Sequence, residues 1–326
     1  DPLQVIQQRL RPEEAMVVYG RALDLEPESG QEVETYVALV IGSHATDLVR
    51  LGRTEEVDEM LAAARPTGKR DDTTEGENAA QAALVKPLGL GVNARRVLVS
   101  PDGPIAFVPM ALLFKGREVA LVPSGTALGL LQEEQADKRG EGVLALADPN
   151  YAHEHFGAQT LPRLIYSAEE AKALGDQLLL GDDATEVKLS LALKTNEHGR
   201  WRGVHLACHG TVNEDEPLRS SLVVTPDDIN KDGRLEALEV YRMQIASDVV
   251  SLSACETGLG KMVRGEGVLG LVRGFMLAGA PRVVCSLWKV DDKATRALMV
   301  KFYEYWDPDA EGDRVGAAEA LKKAQE

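Results

Sequence analysis

The chain has 326 residues, 44% hydrophobic and 27% charged, a globular balance that excludes disordered and collagen-like classes. Thirty-six Lys and Arg against 52 Asp and Glu leave a formal charge of −16. That charge repels nucleic acid and anionic lipid at long range, so neither is expected as a partner. The longest apolar run, Pro104 to Phe114, covers 11 residues, short of the ~20 that a transmembrane helix needs.

Three cysteines, Cys208, Cys255 and Cys285, cannot build a disulfide framework. The first residues carry neither the basic nor the apolar region of a signal peptide. A cytoplasmic protein with reduced thiols is the expectation.

Taken in chain order, Ala15 to Leu23 and Val33 to Ile41 are expected to form a hairpin around the turn-rich Glu26-Pro27-Glu28-Ser29-Gly30. The competing reading makes Ala15, Tyr19, Ala22, Leu23, Leu25 and Pro27 the second helix of a tetratricopeptide repeat. No further copy at the period of roughly 34 residues follows. Ala45 to Leu51 adds a third strand, and Thr54 opens a helix to Ala64 with Glu55 and Glu56 where the helix dipole favours them. Residues 65–78 read as an exposed loop. A helix from Ala79 to Lys86, a strand from Arg95 to Ser100, a turn at Pro101-Asp102-Gly103 and a strand from Ile105 to Val108 follow. Residues 1–140, with no cysteine and a single histidine, His44, read as an α/β half without a nucleophile candidate, and residues 141–326 as the half that carries all three cysteines.

The second half alternates. Gly142 to Ala147 is an apolar strand of the fully buried kind, and Val204 to Cys208, Val249 to Leu252 and Arg282 to Leu287 are expected as further strands. Helices are expected at Ala168 to Leu180, Ala184 to Leu193, Gly267 to Ala278 and Ala294 to Trp306. This pattern predicts an α/β fold with a mostly parallel sheet flanked by helices. In such sheets ligand chemistry sits beyond the carboxyl ends of the strands.

Two of those ends carry nucleophile chemistry. One strand runs into His209-Gly210, the next into Cys255, which lies 46 residues after the histidine. A single helical crossover between them would make their strands near neighbours and bring a base within the ~3 Å that a thiol nucleophile needs. Backbone N–H groups of Gly210 and Cys255 are natural oxyanion donors. Cys208 and Cys285 fall within apolar strand patterns and read as core thiols. His205 shares a strand face with His209 and is expected to act structurally or to support it. The pair His205…His209 has the spacing of a zinc-protease helix, but Leu206 stands where the Glu is required and the segment reads as a strand. Gly265-Glu266-Gly267-Val268-Leu269-Gly270 matches a dinucleotide fingerprint without directly following a strand, and Gly260-Lys261 lacks the rest of a phosphate loop. No metal and no cofactor are expected.

His205-Leu206-Ala207-Cys208-His209-Gly210 and Leu252-Ser253-Ala254-Cys255-Glu256-Thr257-Gly258 together resemble the paired signature of the CHAT family of caspase-like, separase-related cysteine peptidases. The likeness extends to Val97 through Pro109, Leu161-Pro162-Arg163-Leu164 through Leu174, Gly265 to Val268, Ala278 to Val284, Ser286 to Thr295 and Phe302-Tyr303. It implies a cysteine endopeptidase with His209 as base and Cys255 as nucleophile, acting on a protein or peptide substrate. Family members often carry tetratricopeptide repeats, so the resemblance implies a regulatory sensor domain or partner of that type, and its bacterial examples imply a role in defence or programmed cell death. For the substrate side, Asp148 ends the Gly142 to Ala147 strand, and Asp291 and Asp292 follow Trp288 near another strand end. Trp288 is expected to line the cleft. An acid there would select Arg or Lys on the amino side of the cleaved bond. The alternatives are a catalytically silent interaction module of the same fold, and a Cys-His acyl hydrolase acting on a small substrate.

Overall fold

The computed structural model describes residues 2–25, 30–65, 73–135, 139–151, 161–213, 215–227, 232–253, 261–263, 267–287, 290–306 and 316–326. They fall in two units, Asp1–Ala136 with Met262–Gly267, and Asp137–Lys261 with Val268–Glu326.

In the first unit, α1 (Pro2–Arg9) precedes β1 (Glu14–Leu25), β2 (Glu32–Ile41) and β3 (Thr46–Arg53). Helices α2 (Thr54–Ala64) and α3 (Thr74–Leu84) follow, then β4 (Arg96–Ser100), α4 (Met110–Leu113), β5 (Glu118–Leu121) and α5 (Gly125–Gln135). The sheet order is β3-β2-β1-β4-β5. β1 pairs antiparallel with β2, with Tyr19 opposite Ala38, and parallel with β4. The hairpin therefore holds and the helical-repeat reading of Ala15 to Pro27 falls, because β2 is rich in β-branched residues that pack well on a pleated surface. Strand alternation explains why both faces are covered. Val17 and Tyr19 pack with Val57, Leu61 and Leu84, whereas Met16 packs with Leu10, Ile41, Leu98 and Leu128.

Helices α2 and α3 approach as closely as backbone allows. A Cβ on Gly76 would stand 2.4 Å from the Ala63 carbonyl oxygen. The expected strand Ile105 to Val108 is instead a 3-10 turn over Gly103–Phe107. Gly103 sits at φ 59, and Pro104 has no N–H to give to a ladder.

The second unit opens with β6 (Glu141–Pro149), α6 (Ser167–Leu174), β7 (Gln177–Gly181), α7 (Glu186–Lys194) and β8 (Trp201–Ala207). Next come β9 (His209–Thr211), β10 (Ser221–Val223), β11 (Arg234–Glu236), α8 (Ala237–Val240) and β12 (Ser247–Leu252). β13 (Lys261–Val263) and β14 (Gly267–Leu269) pair with each other about the stretch Met262–Gly267 that groups with the first unit. α9 (Leu271–Leu277), β15 (Val283–Cys285), α10 (Asp292–Tyr305) and α11 (Ala317–Gln325) complete the chain.

The main sheet runs β15-β12-β8-β6-β7, with every neighbouring pair parallel. One face packs Leu144, Leu146, Val204 and Val250 against Leu189, Val240 and Phe275, and the other packs Val143 and Val249 against Met299, Phe302 and Trp306. The strand order places β6 and β8 at the point where the winding reverses, and the crevice of such a sheet opens beyond their carboxyl ends.

Three expectations are corrected in this unit. The helix expected over Ala168 to Leu180 divides into α6 and β7. A Cβ on Gly175 would lie 2.9 Å from the Ala145 Cβ and 3.0 Å from the Ala171 carbonyl oxygen. The chain turns at this glycine, and Leu178 to Leu180 enter the sheet as an edge strand. The helix expected over Gly267 to Ala278 begins only at Leu271, after β14. Between β8 and β12 lie a small antiparallel sheet, β11-β10-β9, and α8, rather than a helix alone.

Candidate active site

His209 stands at the carboxyl end of β8, two residues beyond it, where the chain turns out of the parallel sheet to start β9. Gly210 follows and pairs with Leu222 in the antiparallel ribbon. Three contacts fix His209. Its backbone N–H donates to the Tyr151 hydroxyl at 3.1 Å. The Tyr151 ring lies against the imidazole, centroids 5.0 Å apart and tilted by 55°. Nε2 meets the Pro162 carbonyl oxygen at 2.7 Å. A carbonyl has no proton to give, so Nε2 is the donor. Burial holds the Tyr151 hydroxyl protonated far above the usual phenol range, so it stays a neutral partner.

Asp148 is the penultimate residue of β6, the strand beside β8. Its backbone has φ 49, the left-handed region that a side chain makes costly. Among the described residues it alone does this without being glycine. Its carboxylate is buried, yet it receives a two-pronged guanidinium: Arg163 Nε donates to Oδ1 at 2.7 Å and Nη2 donates to Oδ2. The Asp148 N–H donates to Ser167 Oγ at 3.2 Å. A cavity of about 440 Å³ opens here, lined in part by Asp148, Tyr151, Leu161, Arg163 and Asp182.

The two acids at the start of α10 have separate jobs. Asp291 caps the helix, accepting the Ala294 N–H at 2.9 Å. Asp292 accepts the Tyr166 N–H at 2.9 Å. Burial raises its carboxyl above the ordinary range, and Glu170 and Asp291 push the same way, against the Tyr166 N–H and the pull of His209. Asp292 therefore feels the imidazole's field, while Asp291 is occupied by its helix.

β12 lies beside β8, with Leu252 opposite Leu206. Cys255 follows three residues after Leu252 in sequence and, like Trp288, lies outside the described residues. The other two thiols are unsuited to attack. Cys208 is fully buried and burial pushes its thiol up to about 12. Cys285 packs against the same core and is likewise pushed up to about 12 by burial. His205 points away from solvent into a buried polar cluster. Its Nε2 lies 2.8 Å from Glu170 Oε1 without the alignment of a hydrogen bond, and its ring meets Tyr303 edge-on.

Sequence reasoning missed Tyr151, Pro162 and Arg163. Tyr151 follows Asp148-Pro149-Asn150, so its place at a strand end was the available signal. The contact of a Pro162 carbonyl has no sequence signature. Among the described residues no group of three or more His, Cys, Asp or Glu side chains is arranged to hold a metal ion, and no helix is long and apolar enough to cross a membrane.

The CHAT domain family model matches residues 74–326. No curated protein matches the sequence. Among solved structures, the Saccharomyces cerevisiae separase–securin complex at 2.6 Å resolution matches with TM-score 0.61 and 11% identity, over 99% of this chain and 30% of that one. The same complex at 3.0 Å resolution gives TM-score 0.62 and 11% identity, over 99% and 29%. At that identity the likeness concerns the fold, and this chain spans about 30% of the length of those chains.

Proposed function

The chain belongs to the CHAT domain family, and on that footing we propose that it is a cysteine endopeptidase cleaving protein substrates after Arg or Lys. The observation that carries the reading is a buried acid that already grips a guanidinium: Asp148 with both prongs of Arg163, on the strand next to the one that delivers His209. A carboxylate and a planar fork match bidentately, which gives geometry as well as charge. The high thiol pKa of Cys208 and Cys285 supports Cys255 as the reactive cysteine, since the thiolate is the nucleophile.

In this mechanism His209 takes the Cys255 thiol proton, and the sulfur attacks the scissile carbonyl carbon. N–H groups of Gly210 and Cys255 receive the developing oxyanion. The C–N bond breaks as the imidazolium protonates the departing amine, leaving a thioester. Water, deprotonated by the same imidazole, hydrolyses the thioester, which releases the carboxylate and restores the thiol. Asp148 holds the side chain of the residue before the cleaved bond. Trp288, Asp291 and Asp292 are the further candidates for the substrate side. Residues 1–140 serve as the non-catalytic half, a platform for a regulatory sensor or partner. The setting is cytoplasmic, in programmed cell death or defence.

A peptide-library cleavage profile tests this. Cleavage after Arg or Lys that disappears in Cys255→Ala and His209→Ala, and loses its basic preference in Asp148→Asn, is the expected result. Cleavage that survives Cys255→Ala refutes the dyad.

A further inference from the structure

Two neighbouring residues of one segment reach two candidate functional groups on different strands. Arg163 forks onto Asp148 of β6, and the carbonyl of Pro162 receives the Nε2 hydrogen of His209 after β8. The segment is tethered just downstream. The Leu164 carbonyl accepts the Ser167 hydroxyl at 2.8 Å, the same Ser167 oxygen accepts the Asp148 N–H, and the Tyr166 N–H is held by Asp292.

We propose that Leu161-Pro162-Arg163-Leu164 is a resident pseudosubstrate that occupies the arginine pocket and the histidine of the resting protein. This rests on the peptidase reading above and adds to it what fills the site in the absence of substrate. Exposure fits a plug. The Arg163 side chain is 72% exposed and Asp148 only 7%, so the guanidinium closes the acid from the outside and leaves without disturbing the core. The strained backbone at Asp148 is the kind of cost retained where a side chain must be aimed.

Register explains why the segment is an inhibitor rather than a substrate. With Arg163 in the pocket, the bond to be cleaved is the one joining Arg163 to Leu164. The carbonyl on His209 belongs to Pro162, one residue too early. The contact also commits the Nε2 hydrogen to a carbonyl that is not the reacting one. A substrate with its own Arg or Lys must displace Arg163 from Asp148, and activation becomes competition between a tethered guanidinium and an incoming one.

The test compares the unsubstituted 326-residue chain with Arg163→Ala, Asp148→Asn and the double variant. Agmatine, a guanidinium without a peptide bond, is titrated by calorimetry. In the same samples a peptidyl-arginine chloromethyl ketone is followed onto Cys255 by intact mass. Arg163→Ala is expected to bind agmatine roughly 3- to 10-fold tighter than the unsubstituted chain, because a competitor tethered at about millimolar effective concentration has gone. Asp148→Asn is expected to abolish that binding in either background, and Cys255 labelling is expected to quicken several-fold in Arg163→Ala. Equal or weaker agmatine binding by Arg163→Ala overturns the proposal whether or not Cys255 reacts. Tighter binding with no labelling and no peptide cleavage in any variant upholds the plug on Asp148 and overturns the peptidase reading instead.

Discussion

Glu170→Ala isolates the buried polar pair that Glu170 of α6 makes with His205 of β8. Glu170 and His205 are 1% and 0% exposed and their Oε1 and Nε2 atoms lie 2.8 Å apart. Tyr303, itself bonded to Ser251 at 2.9 Å, seals the pair from one side. Removing the carboxylate deprives the imidazole of its partner in a site that water does not reach. Leaving one buried hydrogen-bonding group unpaired costs about 1–3 kcal/mol. The pair's imperfect alignment argues for the lower part of that span, and the volume lost from Glu to Ala adds a cavity contribution. The expectation is a loss of about 2–4 kcal/mol, a large share of a typical domain's stability. The His205→Leu/Glu170→Leu double variant is expected to recover most of it, because no polar group is then stranded. Urea unfolding at neutral pH, monitored by circular dichroism on all four members of the cycle, measures both. A Glu170→Ala variant within about 0.5 kcal/mol of the parent, or a double variant less stable than either single one, would refute the assignment of a mutually dependent buried pair.

Further outcomes follow from other contacts. Tyr151→Phe keeps the ring against His209 but removes the acceptor of its N–H; a loss of about 1 kcal/mol is expected in urea unfolding, with a fall in kcat rather than a rise in KM if the role is positioning. Gly76→Ala must push α2 and α3 apart at a 2.4 Å backbone approach, and a loss of about 1–3 kcal/mol is expected; a silent variant would show that the helix pair yields. Cys208 is raised from 9.0 to about 12 by burial, so the folded state keeps its proton where the unfolded state has lost it. The stability it contributes is whole below pH 9 and declines as pH climbs toward 12, at up to about 1.4 kcal/mol per pH unit. Urea midpoints at about pH 8 and pH 10.5 are expected to differ by about 2 kcal/mol more for the parent than for Cys208→Ala. An equal pH dependence would place the decline elsewhere.

Local pattern carried a large part of the fold. The runs Gly142 to Ala147, Val204 to Cys208 and Val249 to Leu252 are strands because residues buried on both faces are apolar at nearly every position, and that is visible in a sequence without a partner; the exceptions, His205 and Ser251, are buried against Glu170 and Tyr303. The β-branched Val33 to Ile41 likewise identified its strand. Where two periods compete over a short stretch, local pattern failed. Ala168 to Leu180 reads as one amphipathic helix, and only the approach of Gly175 to Ala145 ends it and turns Leu178 to Leu180 into an edge strand. Gly267 to Leu269 left the expected helix by pairing with β13, and Ile105 to Val108 lost its expected strand to the turn set by Gly103 and Pro104.

For the site, the sequence by itself offered His209, Cys255 and Asp148 as candidates that follow apolar runs in chain order; His209 and Asp148 lie at the carboxyl ends of β8 and β6, and Cys255 lies outside the described residues. Tertiary structure alone decided what those groups touch. The tyrosine beneath His209, the carbonyl of Pro162 on its Nε2 and the guanidinium of Arg163 on Asp148 join residues 58, 47 and 15 positions apart. Propensity and periodicity act over a turn or a strand, whereas these contacts exist only once parallel strands β6 and β8 have brought their carboxyl ends together.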